Sequence, residues 1–232
     1  MMLSNCVPGS SHSYLAGDAL HGQLAQLYLT ALMQGDRPAA GRAVHGALER
    51  GVSVPELYRY VFEPAQYEVG RLWETREINV AQEHYCTAAT QMIMSELYPH
   101  IFTSQKSGRT LVSTCVSGDL HEIGLRMVTD LFEMAGWNTF YLGANTPADA
   151  VVETLVGRHA DVLAISATIA HHQKQVVALI DAVRASAAAR HVKILVGGYL
   201  FRANPELGHT IGADGVAVNA HDAMALADQL LA

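Results

Sequence analysis

Cysteine, charge and basic runs are all scarce in this chain of 232 residues. Its three cysteines, Cys6, Cys86 and Cys115, form an odd set with no Cys-x-x-Cys spacing. That excludes a disulfide framework and a zinc site built on such pairs. Charged residues make up 16% of the chain, with Lys plus Arg at 15 against Asp plus Glu at 22, for a formal net charge of −7. With that balance and no run of Lys and Arg, direct nucleic-acid binding is not expected. No apolar run approaches the roughly 20 residues of a membrane span. The opening MMLSNCVPGSSHSYLAGD lacks the basic stretch and apolar segment of a secretory signal. The expectation is a cytoplasmic protein with reduced thiols. Half of the residues are apolar, enough for a real core, so disorder is excluded.

The chain divides by period. Residues 1–18 are rich in Ser and Gly and read as a flexible tail. From 19 to 102 the pattern is helical, with Leu20, Leu24, Leu27 and Leu32 at spacings near three to four. Gly35-Asp36-Arg37-Pro38 breaks the run, and a second helix reads from Pro38 to Arg50 with Gly51 as its stop. Ser53 is a candidate N-cap for a third helix, which Pro64 should kink or divide. Another helix reads from Val80 to Tyr98, ended by Pro99. Four to five helices with short links predict a bundle.

After a polar linker at Thr103–Gly108 the period changes. Apolar runs at Thr110–Val116, Asn138–Leu142, Val162–Ile165, Val192–Val196 and Gly215–Val218 alternate with helical stretches, one of them from about Asn204. Five such strands predict a parallel sheet covered on both faces, over residues 109–232. The fold class expected is therefore α + α/β, a helical bundle followed by a Rossmann-like (flavodoxin-like) domain of order 2-1-3-4-5. Ligands would bind beyond the carboxyl ends of the strands, at the switch between strands 1 and 3.

The loops at that edge carry chemistry. Strand 1 is followed by Ser117-Gly118-Asp119-Leu120-His121-Glu122-Ile123-Gly124, strand 3 ends at Ser166-Ala167-Thr168, and strand 4 ends at Gly197-Gly198. A phosphate loop, a phosphorylatable Asp after strand 3 and a GxGxxG fingerprint are all missing. The imidazole of His121 can bind a metal through one ring nitrogen while Asp119 accepts the other N–H, fixing the tautomer. Gly124 leaves room for something bulky against the following helix, and Gly197-Gly198 permits close approach to backbone.

In Asp119-x-His121-x-x-Gly124, followed by Ser166-x-Thr168 and Gly197-Gly198, residues 109–232 resemble the cobalamin-binding domain family. The resemblance implies a corrinoid bound with His121 as lower cobalt ligand in place of the displaced nucleotide base. It also implies a nucleotide tail passing Gly124, Ser166 and the Gly pair. Leu often stands where this chain has Thr168.

Within the helical half, Trp73, nine residues, then Glu83-His84, with Val80 between, is similar to the bundle signature of CarH-type adenosylcobalamin photoreceptors. That extends the resemblance to about residues 20–232. It implies a bundle capping the upper face of the corrin. Trp73 would pack on the adenosyl group, Val80 fill space beside it, Glu83 accept hydrogen bonds from it, and His84 bond nearby. Light would break the cobalt–carbon bond, and loss of the adenosyl group would drive a conformational or oligomeric change. No catalysis is implied. After Gly124 the chain carries Leu125-Arg126, where methyl-transferring relatives usually have Lys-Asn.

Two departures qualify the likeness. No helix-turn-helix module precedes the bundle, so signalling would run through self-association, as a dimer for instance, or a protein partner. Glu74 stands where that family can place a His that binds cobalt after illumination. A stand-alone branch, the photocobilins, adds a bilin such as biliverdin, and His171, His172, Tyr199 and Arg202 are candidates to contact one. The alternative function is a corrinoid methyl carrier of a methyltransferase system.

Overall fold

In this computed structural model the described residues are Leu15, 19–102 and 105–232. The expected tail, apart from Leu15, and the first two residues of the expected linker lie outside them. The chain forms two compact units, one ending at Leu97 and one beginning at Tyr98.

The first unit is helical: α1 (Ala19–Met33), α2 (Arg37–Glu49), α3 (Val54–Leu57), α4 (Glu63–Glu74) and α5 (Val80–Glu96). Asp36 caps α2 through the Ala39 N–H, and Asn79 caps α5 through the Gln82 N–H. Ser53 opens α3 with a full capping box, its hydroxyl accepting from the Glu56 N–H while the Glu56 carboxylate accepts from the Ser53 N–H.

The core-facing stripe of α1 is Leu24, Tyr28, Ala31 and Leu32, whereas Leu20 and Leu27, expected on it, are exposed. The wide, buried ring of Tyr28 packs against Phe62 and defines a stripe that a leucine count misses.

The segment is divided just before Pro64, as expected, but by a change of helix type and not by a loop. A π-helical turn at Tyr58–Phe62 joins α3 to α4, and the Glu63 N–H donates to the Tyr58 carbonyl. Proline cannot donate, and its ring crowds the carbonyl four residues back; the widened turn accommodates both. Pro64 itself sits in the first turn of α4. The last helix of the unit stops at Glu96, and Pro99 falls within a 3₁₀ turn, Tyr98–His100.

The second unit is a five-stranded, all-parallel sheet of order β2-β1-β3-β4-β5. Its strands are β1 (Thr110–Val116), β2 (Asn138–Thr146), β3 (Val162–Ser166), β4 (Lys193–Gly197) and β5 (Gly215–Val216). The helices are α6 (Ile123–Met134), α7 (Ala148–Gly157), α8 (Gln173–Ala185), α9 (Tyr199–Ala203), α10 (Pro205–Thr210) and α11 (Ala220–Leu230).

Successive strand residues face opposite cores. Val112, Leu163, Ile165, Ile194 and Val196 pack with Leu155, Val176 and Val183. Leu111, Val162, Ala164 and Leu195 pack with Phe132, Trp137 and Ala227. That alternation explains why the strands read as unbroken apolar runs. The second strand runs four residues beyond its expected end, β5 is only two residues long, and a short α9 precedes the helix expected at Asn204. No helix among the described residues is long and apolar enough to cross a membrane.

Candidate functional site

The site is built on the carboxyl ends of β1, β3 and β4 in the second unit. Backbone registers pair Cys115 with Ser166 and Ser166 with Gly197, so the three loops singled out in the sequence meet at one edge.

Asp119, on the loop after β1, is fully buried. Its Oδ1 accepts from the backbone N–H of His121 at 3.0 Å and from His121 Nδ1 at 2.7 Å; its Oδ2 accepts from the Thr168 N–H at 2.8 Å. Burial by itself raises the carboxyl pKa, but these hydrogen bonds outweigh it, the His121 side chain foremost, and bring it down to about 2. An ionised carboxylate can only accept, so the Nδ1 of His121 carries the hydrogen and Nε2 presents a lone pair. The His121 side chain is 54% exposed. A buried acid thus sets the tautomer of a half-exposed imidazole.

The glycines divide by role. Gly198 has φ +92°, and a Cβ there would lie 2.4 Å from the Ala167 carbonyl and 2.9 Å from Ser166 Oγ. Only glycine suits this close crossing of β3 and β4 ends. At Gly197 a Cβ would stand 3.1 Å from the Ala217 carbonyl. Gly124, in the first turn of α6, faces open space within 4 Å. Ser166 is buried and Thr168 half-buried.

Three residues contribute in roles the sequence did not suggest. His172, in a 3₁₀ turn before α8, has a side chain only 9% exposed, with Nδ1 3.3 Å from Asp119 Oδ2 but without hydrogen-bond geometry. Its Nδ1 thus lies beside the Asp119 carboxylate, whereas His171 is exposed. Asn145, at φ +55°, accepts from the Gly118 N–H at 2.8 Å and donates its own N–H to the Asp119 carbonyl. Its signal was a left-handed-tolerant Asn just before Thr-Pro. Glu122 accepts from the Ala144 N–H at 2.9 Å, tying the loop to β2; nothing in the local sequence announces it.

The bundle residues sit in the first unit. Trp73, at the end of α4, is 48% exposed and Val80, at the start of α5, is 51% exposed. Neither belongs to the core of its own unit. Glu83 accepts from Thr87 at 3.1 Å, and its other oxygen bonds the ring of His84, which is largely exposed.

A helical bundle, then a 2-1-3-4-5 parallel sheet whose first loop holds an acid-oriented histidine, defines a corrinoid-binding class of protein. Family models support this directly: a B12 binding domain matches residues 109–227, and a second B12 binding domain model matches residues 24–98. This protein belongs to the B12-binding-domain family. Dimethylamine corrinoid protein 1 of Methanosarcina acetivorans is 31% identical over 173 residues, spanning 71% of this chain and 78% of that one. HTH-type transcriptional repressor CarA of Myxococcus xanthus is 31% identical over 137 residues, spanning 59% and 46%. Among solved structures, the Methanosarcina barkeri monomethylamine corrinoid protein matches with a TM-score of 0.79 at 23% identity, over 90% of this chain and 98% of its own. At that identity the likeness is one of fold.

Proposed function

We propose that the chain is a corrinoid carrier that binds cobalamin with His121 as the lower cobalt ligand and presents the upper face to partner enzymes of a methyl-transfer system. The observation that carries the ligand assignment is the Asp119–His121 pair, in which Oδ1 holds Nδ1–H and leaves Nε2 as the donor atom for cobalt. The remaining features fit the group: an open Gly124, and a backbone crossing at Gly198 that no larger residue permits. Ser166, Thr168 and Gly197 would border the nucleotide tail there. A bound corrinoid supplies a cobalt centre that carries a one-carbon group; the protein holds and orients it. The carrier reading draws on the relatives, since corrinoid proteins of methylamine systems match most of the chain.

The second reading is the light sensor, and a specific observation favours it. An indole and a valine stand half-exposed at the α4–α5 turn, with the Glu83 carboxylate in the first turn of α5. Trp73, Val80, Glu83 and His84 would then surround an adenosyl group, and its photolysis would be signalled by self-association or to a protein partner. The likeness to a transcriptional repressor is compatible with such signalling.

One experiment separates the two. The protein is loaded in darkness with methylcobalamin or adenosylcobalamin, then illuminated, with spectrum and mass followed. Tighter methylcobalamin binding and a light-indifferent mass support the carrier. Tighter adenosylcobalamin binding and a light-dependent mass overturn it in favour of the sensor. Red absorbance after addition of biliverdin would extend the sensor reading to a bilin.

A further inference from the structure

The side chain of His121 is 54% exposed, so packing does little to fix its ring. Its place is inherited from the backbone of residues 117–122, and that backbone is gripped from β2.

The carboxyl end of β2 leaves the register of the rest of the strand. Thr110 pairs with Asn138 and Ser113 with Tyr141, but Thr114 pairs with Gly143 and Val116 with Thr146. The strand thus slips ahead of β1 at two successive steps. The slack is taken up by two left-handed residues, Gly143 at φ +73° and Asn145 at φ +55°. Glycine adopts that conformation freely, whereas at a side-chain-bearing residue it is uncommon and strained.

The strain at Asn145 goes with three contacts to the loop that carries His121. A turn over residues 116–119 is closed by the Asp119 N–H on the Val116 carbonyl at 3.0 Å. Its third residue, Gly118, has φ +86°, as a turn of this kind requires. The Gly118 N–H donates to Asn145 Oδ1 at 2.8 Å, and Ser117 Oγ approaches the same oxygen at 3.4 Å. The Asn145 N–H donates to the Asp119 carbonyl at 3.3 Å. On the far side of the imidazole, Glu122 accepts from the Ala144 N–H at 2.9 Å. Residues 143–145 therefore hold the loop on both sides of His121. Asp119 grips the ring, and Asn145 grips the turn that carries Asp119.

We propose that Asn145 is a positioning residue for the lower cobalt ligand: by bonding the Gly118 N–H it sets how the Asp119–His121 pair is presented to the metal. The proposal rests on the reading of His121 as that ligand.

The test uses the full chain. Hydroxocobalamin is titrated by absorbance into wild type, Asn145→Gly, Asn145→Asp and Glu122→Ala. Electron paramagnetic resonance is then recorded for the cob(II)alamin forms of ¹⁵N-histidine-labelled protein, in which a histidine nitrogen on cobalt splits the lines into doublets. Asn145→Gly keeps the left-handed backbone and removes only the side chain. It should melt close to wild type, weaken hydroxocobalamin about five-fold, in line with one hydrogen bond, and narrow the doublet splitting. Asn145→Asp keeps an acceptor oxygen and should restore both affinity and splitting. Glu122→Ala frees the other end of the loop and should weaken binding in the same way. Wild-type affinity and splitting in Asn145→Gly, whatever its melting temperature, overturn the proposal, as does a loss that Asn145→Asp does not restore. If wild type itself gives no doublets, the lower-ligand reading fails and the proposal falls with it.

Discussion

Asp119 Oδ1 accepts two hydrogen bonds from a single residue, the backbone N–H and the ring Nδ1 of His121. The double grip fixes both the position and the tautomer of the imidazole. The other carboxylate oxygen is anchored across the sheet by the Thr168 N–H, so the histidine is oriented from β3 as well as from its own loop.

Removing that carboxylate should loosen the cofactor without unfolding the sheet. Asp119→Ala should weaken cobalamin binding by about 10–100-fold, the usual cost of losing a ligand's orienting partner. Asp119→Asn should also weaken it, since one side-chain atom must then turn an N–H toward a donor. Titration with hydroxocobalamin measures both; affinity equal to wild type would contradict the assigned role.

The two glycines Gly198 and Gly124 should respond in opposite ways. At Gly198 an alanine meets positive φ and a carbonyl at 2.4 Å. Gly198→Ala should therefore cost on the order of 2–3 kcal/mol of stability in the cofactor-free protein. Gly124 is free of neighbours within 4 Å, so Gly124→Ala should leave the melting temperature near wild type and weaken cobalamin binding if the cofactor occupies that space. Thermal melts and a binding titration of both variants check the pair.

Trp73 offers a similar contrast. It is 48% exposed, so Trp73→Ala should cost cofactor-free stability about 1–2 kcal/mol, less than a core truncation. Phe62, fully buried in the same unit, should cost about 3–5 kcal/mol as Phe62→Ala. If Trp73 meets the upper ligand, its variant should lose adenosylcobalamin affinity while remaining folded. A large loss of stability would make it an ordinary core residue instead.

The bundle should lose stability in alkali. Burial pushes the Cys86 thiol up to about 11 from an ordinary 9.0, with Glu83 adding to the shift, and raises Tyr28 as well. A group whose folded pKa is raised contributes stability that is fully present below its unfolded pKa. That contribution is lost as pH rises through the folded value. Stability should therefore fall between pH 9 and about 11, and Cys86→Ala should lessen the fall. The same burial should leave Cys86 and Cys115 slow to alkylate at neutral pH in a Cys6→Ser background, until denaturant is added. Chemical denaturation across pH and thiol labelling provide the measurements.

The sheet was legible because each strand is buried on both faces and so writes itself as an apolar run, from TLVSTCV to KILVG. The motif residues were legible because loop chemistry at strand ends is local in sequence. Elements set by distant packing were not. Which leucines of α1 face inward depends on Tyr28 meeting Phe62, and Phe62 is itself carried by the π-helical turn before Pro64. His172 lies 53 residues from Asp119 in sequence; only the approach of β3 to β1 brings it within 3.3 Å.

The most direct measurement is electron paramagnetic resonance of bound cob(II)alamin in protein labelled with ¹⁵N-histidine. If His121 Nε2 is the lower ligand, the nitrogen superhyperfine pattern changes from triplets in unlabelled protein to doublets in labelled protein, and the change disappears in His121→Ala. Triplets that persist after labelling would mean that the cofactor's own base still holds the cobalt, contradicting the account.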